Sequence, residues 1–133
     1  MELLARLIKC EAGGEGEIGM SAVASVVMNR VNVRQGEYGR YNTVSDVVFA
    51  PRQFECATDQ PQSVYNLTPE PIHYGIAQWA MNGGRLGDVQ DSLWFYNPYS
   101  VTCRTNFPNN NGYLRTRIGN HCFYSPTSSY FQS

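Results

Sequence analysis

The sequence predicts an α+β domain, mainly helical, with a small antiparallel strand region near the C-terminus. Three observations predict it. Apolar residues recur at helical spacing through the first third of the chain and again after Pro71. Two double glycines, Gly13-Gly14 and Gly83-Gly84, stand where helices should stop. Beyond Gly87 the period changes to short β-prone runs bounded by Asn, Pro and Gly. Helices first and strands last is the order of an α+β chain. At 133 residues one hydrophobic core suffices, so a single domain over residues 1–133 is expected.

The elements follow in order. Residues 2–12 read as a helix: Leu4, Ile8 and Ala12 recur every fourth residue, and Leu3, Leu7 and Glu11 do so one step round. A second helix is expected over residues 17–32. Its Ala22, Val23, Val26, Val27 and Met28 are apolar almost all round, the mark of a helix enclosed by the core. Ser21, Ser25 and Asn29 form a narrow polar stripe that lets another backbone approach, with Asn29 expected to bond a neighbouring main chain. After a polar loop (residues 33–42), Thr43-Val44-Ser45-Asp46 resembles a capping box for a short helix that Pro51 must close. Loop chemistry dominates residues 52–69. Thr68 and Pro71 then open a fourth helix, with Ile72, Ile76, Trp79 and Ala80 sharing a face. Residues 93–97, 113–118 and 122–124 are the strand candidates.

Composition narrows the function classes. Ten Lys+Arg against eleven Asp+Glu give a net charge of −1, which argues against a binder of duplex nucleic acid. Charged residues are 16% of the chain and aromatics 13%, nine of them Tyr. A surface poor in charge but rich in Tyr, Trp and Asn suits an uncharged, hydroxyl-bearing ligand such as a glycan; the same residues could equally fill a small core. No apolar run approaches the roughly 20 residues of a membrane span. The N-terminus lacks the basic start, apolar stretch and cleavage site of a secretory signal. Cys10, Cys56, Cys103 and Cys122 lack C-x-x-C spacing, and free thiols are the expected state, with Cys103 and Cys122 the pair to test first for a bridge. His73 and His121 have no i, i+4 partner, so neither a metal nor another cofactor is expected. A Cys/His nucleophile is disfavoured: Cys10 lies inside a helix, and Cys122 follows His121 directly, on the opposite face of a strand.

Glu11 is the residue with chemistry in its position. It shares a face with Leu3 and Leu7, so that face should turn inward, yet it ends in a carboxylate beside a glycine break. A carboxyl at the edge of an apolar core loses hydration, and its pKa rises. It then keeps a proton near neutrality that it can donate to a departing sugar oxygen. A helix-end Glu tilted into solvent is the competing reading. Glu15, across the glycines, is either a catalytic partner or the acid that favours the start of the second helix.

Four blocks, in order, resemble one family. They are Glu11-Ala12-Gly13-Gly14-Glu15 followed by Ala22 to Val31; Thr43 to Val48 leading to Gln53-Phe54-Glu55; Leu93-Trp94-Phe95-Tyr96-Asn97-Pro98; and Ile118-Gly119-Asn120-His121-Cys122-Phe123-Tyr124. The chain resembles the cell wall hydrolase domain of spore cortex-lytic enzymes, the SleB/CwlJ type, nearer the single-domain CwlJ branch. The resemblance implies a lysozyme-like fold that cleaves peptidoglycan glycan strands between N-acetylmuramic acid and N-acetylglucosamine. It makes Glu11 the catalytic acid, with Glu15 as the second candidate catalytic carboxylate. Phe54, Phe95, Tyr96 and Asn97 would line the cleft, with Gln53 and His121 as hydrogen-bond donors to acetamido groups. If Glu11 acts alone, the muramic C6 hydroxyl closes an anhydro ring, which is lytic transglycosylation; if a second acid positions water, the outcome is hydrolysis. The resemblance also implies a spore coat, cortex or cell-wall location, peptidoglycan as partner and a possible coat-anchoring protein. A non-catalytic glycan-binding module and a cysteine peptidase are the rival classes.

Overall fold

The computed structural model describes residues 1–51, 53–57 and 63–132. Helix α1 (Glu2–Ala12) and helix α2 (Gly16–Asn32) pack together, joined by the glycine turn. Leu4, Leu7 and Ile8 of α1 are fully buried against Val23 and Val27 of α2. Helix α2 is buried nearly all round, as its continuous apolar sequence requires. Its polar stripe anchors the main chain that follows α4 (Pro71–Met81). Leu86 N–H donates to Ser25 Oγ, and Asn29 Nδ2 donates to the carbonyls of Gln90 and Ser92 at 2.7 and 2.9 Å.

A 3-10 turn at Glu37–Arg40 interrupts the loop expected over residues 33–42. Thr43 caps α3 (Val44–Val48), its hydroxyl accepting from Asp46 N–H; the Asp46 carboxylate reaches back to Asn42 N–H rather than to Thr43 itself. Within the expected loop over residues 52–69, a second 3-10 turn forms at Glu55–Ala57, and residues 52 and 58–62 lie outside the described ones. The α4 face differs from the expected one. His73, Ile76, Ala77 and Ala80 point inward, whereas Ile72 and Trp79 are 43% and 38% exposed. The cap explains the rotation: Glu70 is the N-cap, and its backbone N–H donates to His73 Nδ1, which draws His73 inward.

The strands β1 (Trp94–Tyr96), β2 (Gly112–Ile118) and β3 (His121–Pro126) form an antiparallel sheet in the order β1-β3-β2, and α5 (Ser128–Phe131) follows. Gly119 and Asn120 turn β2 into β3, pairing Ile118 with His121. Gly119 has φ +57°, which suits glycine, and a Cβ there would sit 3.0 Å from a Glu15 carboxylate oxygen. Phe123 packs onto Ala22 and Val26, joining the sheet to α2. A separate aromatic cluster of Tyr38, Trp94, Tyr124 and Tyr130 closes the far side.

The expectation of free thiols is overturned, because all four cysteines are bridged, Cys10 to Cys56 and Cys103 to Cys122. The end of α1 and the Glu55–Ala57 turn lie far apart in sequence and touch only in the fold. Spacing alone could not pair them.

Candidate active site

The ends of α1 and α2, the Gln53–Cys56 segment, β1 and the start of β3 meet around an open cavity of about 530 Å³. Its walls carry Glu11, Glu55 and Arg30 as charged groups, with Gln53, Asn97, Phe54, Phe95, Tyr96, Tyr99 and His121 around them.

Glu11 is half-buried at the cavity wall. Its pKa is raised from 4.5 to about 7, chiefly because burial strips water from the carboxylate and secondly because Glu55 repels its charge. The Cys56 backbone N–H and the Arg30 guanidinium pull the other way and keep the rise from going further. Near neutrality this carboxyl is therefore divided between its acid and base forms, the state required of a group that first gives and then takes a proton.

Arg30 is a cation in the core of α2, 4% exposed. Its Nε donates to the Leu93 carbonyl at 2.6 Å, and its guanidinium lies 4.5 Å from the Tyr38 ring centroid and 5.1 Å from that of Phe54. Burial lowers its pKa from the usual arginine value. Arg30 Nη1 and Tyr38 Oη both donate to Gln53 Oε1, at 3.2 and 2.9 Å. With its oxygen held from behind, Gln53 offers its NH2 group to the cavity as a donor.

Phe95 carries the aromatic wall. It packs against Phe54 and Phe123 and meets His121 edge-on, with centroids 5.1 Å apart. Its neighbour Trp94 turns the other way into the core, as strand alternation demands. Tyr96 stacks on Phe107 and Tyr124 beside the Cys103–Cys122 bridge. Asn97 Oδ1 accepts from Tyr99 N–H at 2.8 Å, a turn that leaves the Tyr99 ring 91% exposed at the cavity mouth.

The structure thus brings Glu11, Gln53, Phe54, Phe95, Tyr96, Asn97 and His121 to one cavity, and leaves Glu15 off its wall. Glu15 stands at the N-cap position of α2 without a side-chain cap bond. Its Oε1 instead accepts from Asn120 N–H at 3.0 Å and lies 3.3 Å from His121 Nδ1. Sequence reasoning missed Arg30, Glu55 and Tyr99. A lone cation in an otherwise apolar helix was a usable signal for Arg30, and Glu55 stands next to two residues already chosen. Tyr99 left none. Cys10, Glu11 and Cys56 cluster tightly, but their two sulfurs are bonded to each other and offer no thiolate to a metal.

Residues 14–124 match the cell wall hydrolase family. The chain belongs to that family. Among its relatives, the cell wall hydrolase CwlJ of Halalkalibacterium halodurans is 36% identical over 97% of this chain and 87% of its own length. CwlJ of Bacillus subtilis is 29% identical over 96% and 86%. A spore cortex-lytic enzyme of Bacillus cereus is 33% identical, but the match spans 37% of that longer protein. In three dimensions the fold is similar to the catalytic domain of the Bacillus cereus SleB protein, with TM-score 0.71, 31% identity, and 93% of this chain and 88% of that one covered. It is equally similar to the catalytic domain of a germination-specific lytic transglycosylase, SleB of Bacillus anthracis, with TM-score 0.71 and 30% identity over 93% and 92%. Family membership and the match to a catalytic domain over 93% of the chain make it an enzyme of cell-wall cleavage, so the non-catalytic module gives way, and with all four cysteines bridged the cysteine peptidase lacks a thiol nucleophile.

Proposed function

We propose that the chain cleaves peptidoglycan glycan strands of the spore cortex or cell wall between N-acetylmuramic acid and N-acetylglucosamine, with Glu11 as the acid and then the base. The observation that carries this reading is a carboxyl with a pKa of about 7 in the wall of an open, aromatic-sided groove. Protonated Glu11 gives its proton to the bridging oxygen as the C1–O bond breaks. The muramic C6 hydroxyl oxygen then bonds to C1, and its proton passes to the Glu11 carboxylate, restoring the acid. Atoms balance without water, so the product carries a 1,6-anhydro end. The similarity to the Bacillus anthracis germination-specific lytic transglycosylase supports this outcome. Phe95, Tyr96 and Tyr99 put aromatic surface on the cavity for sugar rings, and Gln53 and Asn97 put amides there for acetamido groups. Two disulfides suit a protein that works in an oxidising setting outside the cytosol.

A second reading has one observation in its favour: Glu55 puts another carboxylate on the same cavity, as hydrolysis with a positioned water would use. Mass spectrometry of fragments released from purified cortex or sacculi separates the two. Anhydro-muramic ends are expected; reducing ends would assign hydrolysis, and loss of peptide cross-links alone would overturn glycan cleavage. Glu11→Gln should release nothing while keeping the fold.

A further inference from the structure

We propose that Glu15 and His121 form a dyad in which Glu15, behind the cleft wall, orients the imidazole so that His121 Nε2 accepts a hydrogen bond from a hydroxyl of the bound saccharide. Glu15 is then a positioning residue. The identity of the ligand, and nothing else in this inference, rests on the proposed glycan cleavage.

The geometry assigns the two roles. His121 lines the cavity and Glu15 does not. Both side chains are only 14% exposed, so neither is a surface charge free to wander. The Glu15 carboxylate is held by the Asn120 N–H at 3.0 Å, and it stands 3.3 Å from Nδ1 of the next residue, His121. Gly119 keeps this contact open, because any side chain there would press on the same carboxylate. The third restraint is Phe95, whose ring meets the imidazole at an interplanar angle of 78°.

An imidazole has two nitrogens, and a carboxylate beside one fixes the proton there. With the proton on Nδ1, Nε2 across the ring carries a lone pair. Burial lowers the His121 pKa although Glu15 opposes the shift, so the neutral ring prevails near pH 7. Glu11, Glu55, Arg30, Tyr96 and Tyr99 are the titratable groups sharing its cavity. His121 therefore accepts, where sequence reasoning had assigned it a donor's part. A hydroxyl is the complementary ligand group, since Gln53 already supplies an amide donor.

Two experiments on the intact protein decide this. The first is 15N NMR of the imidazoles, simple because the chain has two histidines, assigned with His121→Ala. The wild type should show the Nδ1–H tautomer of His121, and Glu15→Ala should shift it toward Nε2–H. An Nε2–H tautomer in the wild type overturns the dyad. The second is fragment release from sacculi by Glu15→Ala, His121→Ala and the double variant. Each single change should slow release about 10- to 100-fold, the cost of a misplaced contact. The double variant should be no slower than His121→Ala, and Glu15→Gln should restore part of the rate. Additive losses would mean that Glu15 supports the fold and nothing more, which sinks the proposal. If Glu15→Ala does not fold, Glu15→Gln and the wild-type spectrum still decide. Wild-type protein that releases no glycan fragments would refute glycan cleavage instead, whereas the tautomer is read without substrate.

Discussion

A single carboxyl sets the pH behaviour of the proposed reaction. Activity that needs protonated Glu11 should fall as pH rises through about 7, read as the alkaline limb of the rate of fragment release. The same shift has a stability consequence of defined sign. The native carboxyl holds its proton up to about 7, while the unfolded one loses it near 4.5, so the native state binds more protons between these values and stability drops as pH rises across them. The full loss is on the order of 3 kcal/mol. Glu11→Gln removes the ionisation and keeps an acceptor for Cys56 N–H. This variant should therefore melt above the wild type at pH 8 and alongside it near pH 4, checked by calorimetry at both. Tyr99 offers a different test. Its exposed ring at the cavity mouth touches little of the protein, so Tyr99→Ala should weaken glycan binding about two- to tenfold with the melting temperature unchanged, which titration into the inactive Glu11→Gln protein would measure.

At the level of elements, the site is held by two short connections. The Cys10–Cys56 bridge staples the last turn of α1 to the segment that carries Gln53, Phe54 and Glu55, and the Cys56 N–H then bonds Glu11. It spans a sequence separation of 46, against 19 for Cys103–Cys122. Chain entropy makes the first worth about 4 kcal/mol and the second about 3 kcal/mol. Replacing Cys10 and Cys56 with Ala should thus lower urea stability more than replacing Cys103 and Cys122, and should also cost turnover, because the Glu11 partner is released. The turn from β2 to β3 is the other connection. Gly119→Ala meets both a positive φ and the Glu15 carboxylate, and should cost about 1–2 kcal/mol by denaturant titration. A cost indistinguishable from zero would mean the turn relaxes freely.

Across the whole molecule, helix α1 brings the Glu11 carboxyl to the cavity, and strands β1 and β3 bring Phe95, Tyr96 and His121. Helix α2 joins them, burying Val23 and Val27 toward α1 and Val26 toward Phe123 of β3. The end of this helix brings Arg30 to the same cavity wall as the end of α1 and strand β1, and Arg30 Nε reaches the Leu93 carbonyl just before β1. Arg30→Met should accordingly reach beyond the charge it removes. The Leu93 carbonyl and Gln53 lose a donor, and a loss of about 1–3 kcal/mol is expected by urea titration, the cost of leaving a buried acceptor unpaired. Among the described residues no helix is long and apolar enough to cross a membrane.

Local rules reached far in this chain. The 3.6-residue period of the first helix, the glycine stops, the Thr43 cap and the alternation at Trp94 and Phe95 are each settled by neighbours within a turn or a strand, and all are present in the fold. The inward tilt of Glu11 was legible for the same reason, since it follows from Leu3 and Leu7 on its own helix. What the sequence could not decide were meetings across long stretches of chain: Cys10 with Cys56, Glu15 with His121, Arg30 with Gln53. Those depend on how α1, α2 and the sheet pack, and one-dimensional spacing carries no record of distance between elements. The face of α4 falls between the two, because a side-chain cap at its first turn rotated a correctly placed helix. Sequence alone thus placed the main helices and strands and put the Glu11 carboxyl on the inward face of the first helix; tertiary packing decided what surrounds that carboxyl and hence its proton affinity.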